Sequence, residues 1–171
     1  MELKEATERQ AYRYAKRKHD DTGAIRKHSG LPYIVHPEGV AMLAKAYGGS
    51  DDEIAAAYLH DTVEDAGVII SDIDEKFGPG VADIVSQVTN DAAEVKRLGK
   101  EKYISKELSE LTHPALFVKL CDILYNCLDY PSESQLKRML NNVTDLVNNR
   151  DDITDKEWEL IYSIFETEAA A

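Results

Sequence analysis

His60-Asp61, followed by Glu64-Asp65 in the segment AAAYLHDTVEDAG, sets an imidazole and three carboxylates within six residues. A neutral imidazole beside a carboxylate is a mixed nitrogen and oxygen ligand pair, suited to a divalent cation that tolerates both. On a continuous helix Glu64 stands one turn after His60 and Asp65 one turn after Asp61, so the four side chains are expected on one side. Two would hold a cation while two handle a water or a proton, which is the layout of a hydrolase site. The ordinary reading of such a run is a solvated acidic face. Location argues against it: Ile54-Ala55-Ala56-Ala57-Tyr58-Leu59 are small or apolar, so this helix is expected to be largely buried. Buried charges need partners, and a metal is one.

The elements that must position these residues read as helix after helix. A first helix spans residues 2–19 and ends before an Asp20-Asp21-Thr22-Gly23 turn. A loop with Arg26, Lys27, His28, Ser29 and Gly30 leads to Tyr33-Ile34-Val35-His36. Pro37 then suits the first turn of a helix that Gly48-Gly49 terminate. Ser50 with Glu53 is a capping-box signature for the helix bearing His60 and Asp61. A short helix runs from Ser71 to Phe77, and another from Pro79 to Thr89. Residues 90–112, rich in lysine, are read as one helix with a loose, charged beginning. Pro114 opens an apolar helix that stops before Pro131, and residues 136–147 form an amphipathic one. Thr154 with Glu157 caps a last helix with the stripe Trp158, Ile161, Ile164 and Phe165, fraying at the alanine tail. His19 and His113 are taken as surface or capping groups. The expectation is all-α: a single helical domain of about eight to ten helices over residues 1–171.

Composition sets outer limits. A chain of 171 residues with 43% hydrophobic content supports one ordinary core, and two full domains would be cramped. No apolar run approaches the length of a membrane span and no signal-peptide pattern is present. A net charge of −12 argues against a general binder of nucleic acid or anionic membrane, while a local basic cluster still permits an anionic small substrate. Cys121 and Cys127, six residues apart, point in different directions on a helix and read as free packing thiols in a reducing cytoplasm.

A complete metal site needs further ligands. His36 lies at a loop-to-helix junction beside Pro37, where the backbone is fixed. Asp122 lies in the apolar helix FVKLCDILYN, with Lys119 one turn before and Asn126 one turn after. An aspartate there needs compensation, which a metal or an arginine from another helix would supply.

The ordered set Tyr33-Ile34-Val35-His36-Pro37, Leu59-His60-Asp61-Thr62-Val63-Glu64-Asp65, Phe77-Gly78, Val88-Thr89 and Val118-Lys119-Leu120-Cys121-Asp122 with Tyr125-Asn126 resembles the HD-type hydrolase domain of RelA/SpoT proteins, in its stand-alone small alarmone hydrolase form. The resemblance covers about residues 11–147. It implies an all-helical HD-type fold and a manganese-dependent enzyme, with ferrous iron or zinc as alternatives, that removes pyrophosphate from the 3′ position of guanosine tetra- or pentaphosphate. It makes His36, His60, Asp61 and Asp122 the metal ligands and Glu64 and Asp65 the catalytic acidic pair. Arg26, Lys27, Ser29, Tyr125 and Asn126 match its substrate-contacting positions. Two histidines and two aspartates agree with such a cation. The family commonly has an arginine two residues after Asn126, where this chain has Leu128.

The expected partner is thus a small-molecule nucleotide in the cytoplasm, with a homodimer as a possible assembly. The alternatives are an HD-domain phosphohydrolase for another nucleotide, which Leu128 keeps open, a silent nucleotide sensor, and a helical interaction protein with a structural metal. Intact Glu64-Asp65 argues against a sensor, and the Trp158 stripe is more simply core packing than a dimer face.

Overall fold

The computed structural model describes residues 2–27 and 29–169, residues 2–6 and 169 by backbone alone. Met1, His28, Ala170 and Ala171 lie outside the described residues, and with them any contact by His28 and the end of the alanine tail. The described residues form eleven helices: α1 (Glu2–Thr22), α2 (Val35–Ala46), α3 (Asp51–Leu59), α4 (Thr62–Ala66), α5 (Ile70–Phe77), α6 (Pro79–Val88), α7 (Ala92–Leu98), α8 (Lys100–Glu110), α9 (His113–Leu128), α10 (Glu133–Asn149) and α11 (Asp155–Ala169). The all-α expectation holds. The count exceeds eight to ten because two expected helices are each divided, one at His60-Asp61 and one at Gly99. Gly99 sits at φ 82°, a conformation that glycine adopts without a Cβ penalty, and it stops α7 before α8 begins.

α3 and α9 form the middle of the molecule. Every residue of α3 from Glu53 to Leu59 is buried, because α1, α2, α6 and α9 all pack on it. Three successive alanines let those neighbours approach closely. The capping box that starts α3 is present: Ser50 N–H donates to Glu53 Oε2 at 2.7 Å, and Glu53 N–H donates to Ser50 Oγ at 3.3 Å. α9 buries Ala115 through Cys121 against α2, α3, α6 and α11. Leu160, Ile161 and Ile164 of α11 are fully buried on that core, with Trp158 and Phe165 packed at its edge. Both cysteines are buried free thiols, and burial pushes Cys127 up to about 11.

Two histidine expectations part company here. His113 begins α9, its Nδ1 3.0 Å from Glu157 Oε1, so it does serve a helix end. His19 is no surface group: α1 continues past it to Thr22, and the ring is 1% exposed. Neither of its nitrogens has a hydrogen-bond partner among the described residues, and the ring packs 4.9 Å from that of Tyr33. Among the described residues no helix is long and apolar enough to cross a membrane.

Candidate active site

The helix carrying the HD pair does not run straight through it. α3 ends at Leu59; His60 keeps helical angles, but Asp61 sits at φ −94°, ψ −3°, the sparsely occupied bridge region. Thr62 Oγ1 donates to Leu59 O at 2.7 Å, and Asp65 N–H donates to Asp61 O at 2.9 Å, so α4 resumes directly. This break corrects the continuous-helix expectation and has a chemical result. Adjacent residues on an ideal helix diverge by roughly 100°, yet here Asp61 Oδ2 lies 3.2 Å from the Nε2 of its neighbour His60.

His36 and Asp122 complete the cluster. His36, in the first turn of α2, places Nε2 3.1 Å from Asp122 Oδ1 and 3.4 Å from Asp61 Oδ2. His60 Nε2 is 3.8 Å from Asp122 Oδ1. One donor atom each from His36, His60 and Asp122 lies within 4.8 Å of the other two, and Asp61 joins them through both imidazoles. His60 Nδ1 lies 2.8 Å from Ala57 O, which makes it the protonated nitrogen and leaves Nε2 facing the carboxylates. Nε2 of His60 and Nδ1 of His36 are buried without a hydrogen-bond partner among the described residues.

The electrostatics describe a site waiting for positive charge. Burial alone would lower the pKa of His60, but Asp61 and Asp122 outweigh it and push it up to about 9. His36 is raised against the same burial effect by Asp122 and Asp61. Burial works against ionisation of Asp122 too, yet His36 and His60 hold it at about 2. The two-nitrogen, two-carboxylate donor set fits a divalent cation, whose charge would offset the two carboxylates.

Around the cluster lies a cavity of about 570 Å³. Asp61, Asp122 and His36 are on its wall, as are Glu64 and Asp65 of α4. Glu64 is clamped by Asn90, whose backbone N–H donates to Oε1 at 2.7 Å and whose side-chain amide donates to Oε1 at 2.8 Å and Oε2 at 2.9 Å. The basic loop is folded back by an Ile25–Pro32 pairing and a 2.8 Å bond from Arg26 N–H to Leu31 O, which brings Arg26 and Lys27 to the cavity. The Arg26 guanidinium donates to Asp129 Oδ2 through both Nε, at 3.1 Å, and Nη2, and Nη2 also reaches Asn126 Oδ1 at 3.4 Å. Asn126 in turn donates to Asp122 Oδ1 at 2.7 Å.

Of the expected substrate contacts, Arg26, Lys27 and Asn126 line the cavity and two do not. Ser29 is exposed on the loop and caps Leu31 N–H at 3.4 Å, a turn-stabilising role. Tyr125 is not on the wall: its ring packs 5.2 Å from that of His36, and a Cβ on Gly39 would fall 1.9 Å from Tyr125 Cε2, so it supports the His36 imidazole from behind. Lys100, from the lysine-rich stretch, and Arg138 also stand on the wall.

Three contacts had no sequence-level signal. Tyr33 O–H donates to Asp61 Oδ2 at 2.7 Å, and burial with Asp61 and Asp65 pushes the phenol well above its usual range, so it stays a donor. Lys119 is buried on the cavity wall with Nζ 3.4 Å from Glu107 Oε2; burial opposes its charge, but Glu107 and Asp122 keep it protonated. Asn90 holds Glu64 from 26 residues away.

The HD domain family profile matches residues 11–113. A mouse protein named guanosine-3′,5′-bis(diphosphate) 3′-pyrophosphohydrolase MESH1 is 32% identical over 130 residues, covering 75% of this chain and 69% of its own. Its zebrafish namesake is 40% identical over 102 residues, covering 58% of this chain and 56% of that one. A pyrophosphohydrolase of the same description from Aquifex aeolicus is 40% identical over 97 residues, 12% of its length. The chain therefore spans little more than half of the zebrafish relative and a small part of the bacterial one. A solved structure described as a metazoan ortholog of SpoT that hydrolyses ppGpp shares the fold, with a TM-score of 0.77 at 23% identity over 97% of both chains. With the profile covering more than half of the chain and running through His36, His60 and Asp61, this protein belongs to the HD-domain family, alongside the MESH1 proteins.

Proposed function

We propose that residues 1–171 act as a single HD-type hydrolase domain, working in the cytoplasm, that removes pyrophosphate from the 3′ position of guanosine tetra- or pentaphosphate. The observation that carries the reading is the buried cluster of two imidazoles and two carboxylates opening, beside Glu64 and Asp65, into a cavity with cations on its wall. The names of the relatives supply the substrate. His36, His60, Asp61 and Asp122 would hold the cation, for which manganese is our choice and ferrous iron or zinc the alternatives.

A bound cation would supply Lewis acidity, lowering the pKa of a water and polarising a phosphoryl oxygen. The chain's residues do the rest. Water attacks the phosphorus nearest the ribose, the bond from that phosphorus to the ribose oxygen breaks, and pyrophosphate leaves while the ribose oxygen gains a proton. Glu64, immobilised by Asn90, or Asp65 beside it accepts the water's proton. Arg26, Lys27, Lys100 and Arg138 offset the diphosphate charge, with arginine suited to bidentate contact. Asn126 and Tyr33 keep Asp122 and Asp61 oriented.

One observation favours a second reading, a phosphohydrolase for another nucleotide. Leu128 stands where the family it resembles commonly has an arginine, and the Arg26 guanidinium is already engaged by Asp129. The deciding experiment is pyrophosphate release from guanosine tetraphosphate by metal-stripped protein, with and without manganese, beside an Asp122→Ala control. Manganese-dependent release that the substitution abolishes is the expected result. A folded, metal-loaded protein that releases none would send the search to other nucleotides.

A further inference from the structure

α9 ends at Leu128, Asp129 caps it, and Tyr130 follows at φ 51°. It is the one non-glycine residue at positive φ among those described. The position just past a helix cap is where glycine, or sometimes asparagine, turns the chain in the left-handed conformation. Tyrosine is strained there by its Cβ, and Pro131 adds to the strain because a residue before proline prefers extended backbone. Burial does not repay this: the side chain is 87% exposed, and its hydroxyl makes no hydrogen bond to the described residues. A large aromatic held in an unfavourable conformation with its ring in water breaks the ordinary rules of chain design, and such breaks concentrate at binding sites.

Its neighbours give the location. Asp129, which grips Arg26, and Pro131 both line the cavity of the cation cluster, so Tyr130 stands at the rim. α9 continues six residues beyond Asp122, about 9 Å at helical rise, and Tyr130 follows two residues after its end. Leu128, two residues before it, is exposed as well. The wall below is mostly polar and charged, with Tyr33, Ile104, Ile123 and Met139 as its less polar members, and Tyr130 adds an exposed aromatic ring beside it. A nucleotide whose phosphates enter the cavity brings its base to that rim, and bases stack on aromatic rings.

We propose that Tyr130 is the base-stacking residue of this site, a specificity determinant that no motif predicts; the inference rests on the nucleotide-hydrolase reading above. The test compares manganese-loaded wild type, Tyr130→Phe and Tyr130→Gly with guanosine tetraphosphate as substrate and inorganic pyrophosphate as a baseless inhibitor. Tyr130→Gly is expected to raise KM about tenfold while kcat and the pyrophosphate inhibition constant hold, the signature of lost ground-state binding. It should also raise Tm by ~2–4 °C, because glycine relieves the left-handed strain. Tyr130→Phe should keep the wild-type KM. An unchanged KM in Tyr130→Gly overturns the proposal. So does a KM that rises together with the pyrophosphate constant, which would mean that the loop only anchors Arg26. If wild type does not turn the nucleotide over, the hydrolase reading fails, and equilibrium binding of the same two ligands decides the stacking. A Tyr130→Gly loss confined to the nucleotide upholds it; equal losses, or no nucleotide binding by wild type, refute it.

Discussion

Replacing Tyr33 by phenylalanine removes one hydrogen-bond donor and leaves the ring. The lost bond is the 2.7 Å donation to Asp61 Oδ2. Asp61 also lies near the imidazoles of His36 and His60, at 3.4 and 3.2 Å. With both imidazoles turned to a cation, the phenol would remain to orient the carboxylate. A hydrogen bond to a charged acceptor contributes about 1.5–3 kcal/mol. At about 1.4 kcal/mol per decade, Tyr33→Phe should weaken manganese binding roughly tenfold to a hundredfold. Metal-free stability should scarcely move, since the ring keeps its packing against His19 and His36. Chelator competition gives the affinity and a melt in EDTA gives the stability. An affinity within about threefold of wild type, under 1 kcal/mol, would refute the reasoning. A variant already destabilised without metal would refute it too, by making Tyr33 a packing residue first.

Metal-free protein should lose stability as pH rises from neutrality through about 9, because His60 is raised to about 9 from its ordinary 6.5 and its contribution is complete only below the latter. Asp122, lowered to about 2, contributes above its ordinary 3.8 and loses that as pH falls toward 2. Melts in EDTA across this range check both limbs, and saturating manganese should flatten the alkaline one. Lys119→Met should cost about 3–5 kcal/mol in urea unfolding by stranding the buried Glu107 carboxylate, and adding Glu107→Leu should recover most of it. Gly39→Ala should cost about 1–3 kcal/mol, since the new methyl would overlap the Tyr125 ring that backs His36, and manganese affinity measured by chelator competition should fall with it.

The helical class was readable because its signals are local. Ser50 with Glu53, Pro79, Pro114 and Thr154 with Glu157 are chemistry at helix starts, and each lies within one residue of an observed boundary. That His36, His60, Asp61 and Asp122 would come together was readable through a resemblance and not through spacing. What stayed hidden were partners supplied by distant segments. Asn90 looked like one more polar residue in a lysine-rich stretch, yet it immobilises Glu64 across 26 residues. Ser29 and Tyr125 sit next to lining residues and miss the cavity, because a turn holds Ser29 on Leu31 N–H and the Tyr125 ring is packed between His36 and Gly39. His19 shows the same limit: its basic neighbours suggested solvent, but helix periodicity puts it on the inner side with Ala11 and Ala15.

The break at Asp61 shows why the HD pair works as adjacent residues. A straight helix would spread His60 and Asp61 too far around its axis to meet at one point. The sequence around it supplies the means of turning: Thr62 Oγ1 takes Leu59 O, and Asp65 N–H still bonds Asp61 O, so the kink is confined to one residue. α3 below it is buried from Glu53 to Leu59, with α1, α2, α6 and α9 packed on it. α4 above it carries Glu64 and Asp65 out to the cavity, where both are exposed. One bridge-region residue thus joins the buried end of α3 at His60 to the exposed carboxylates of Glu64 and Asp65.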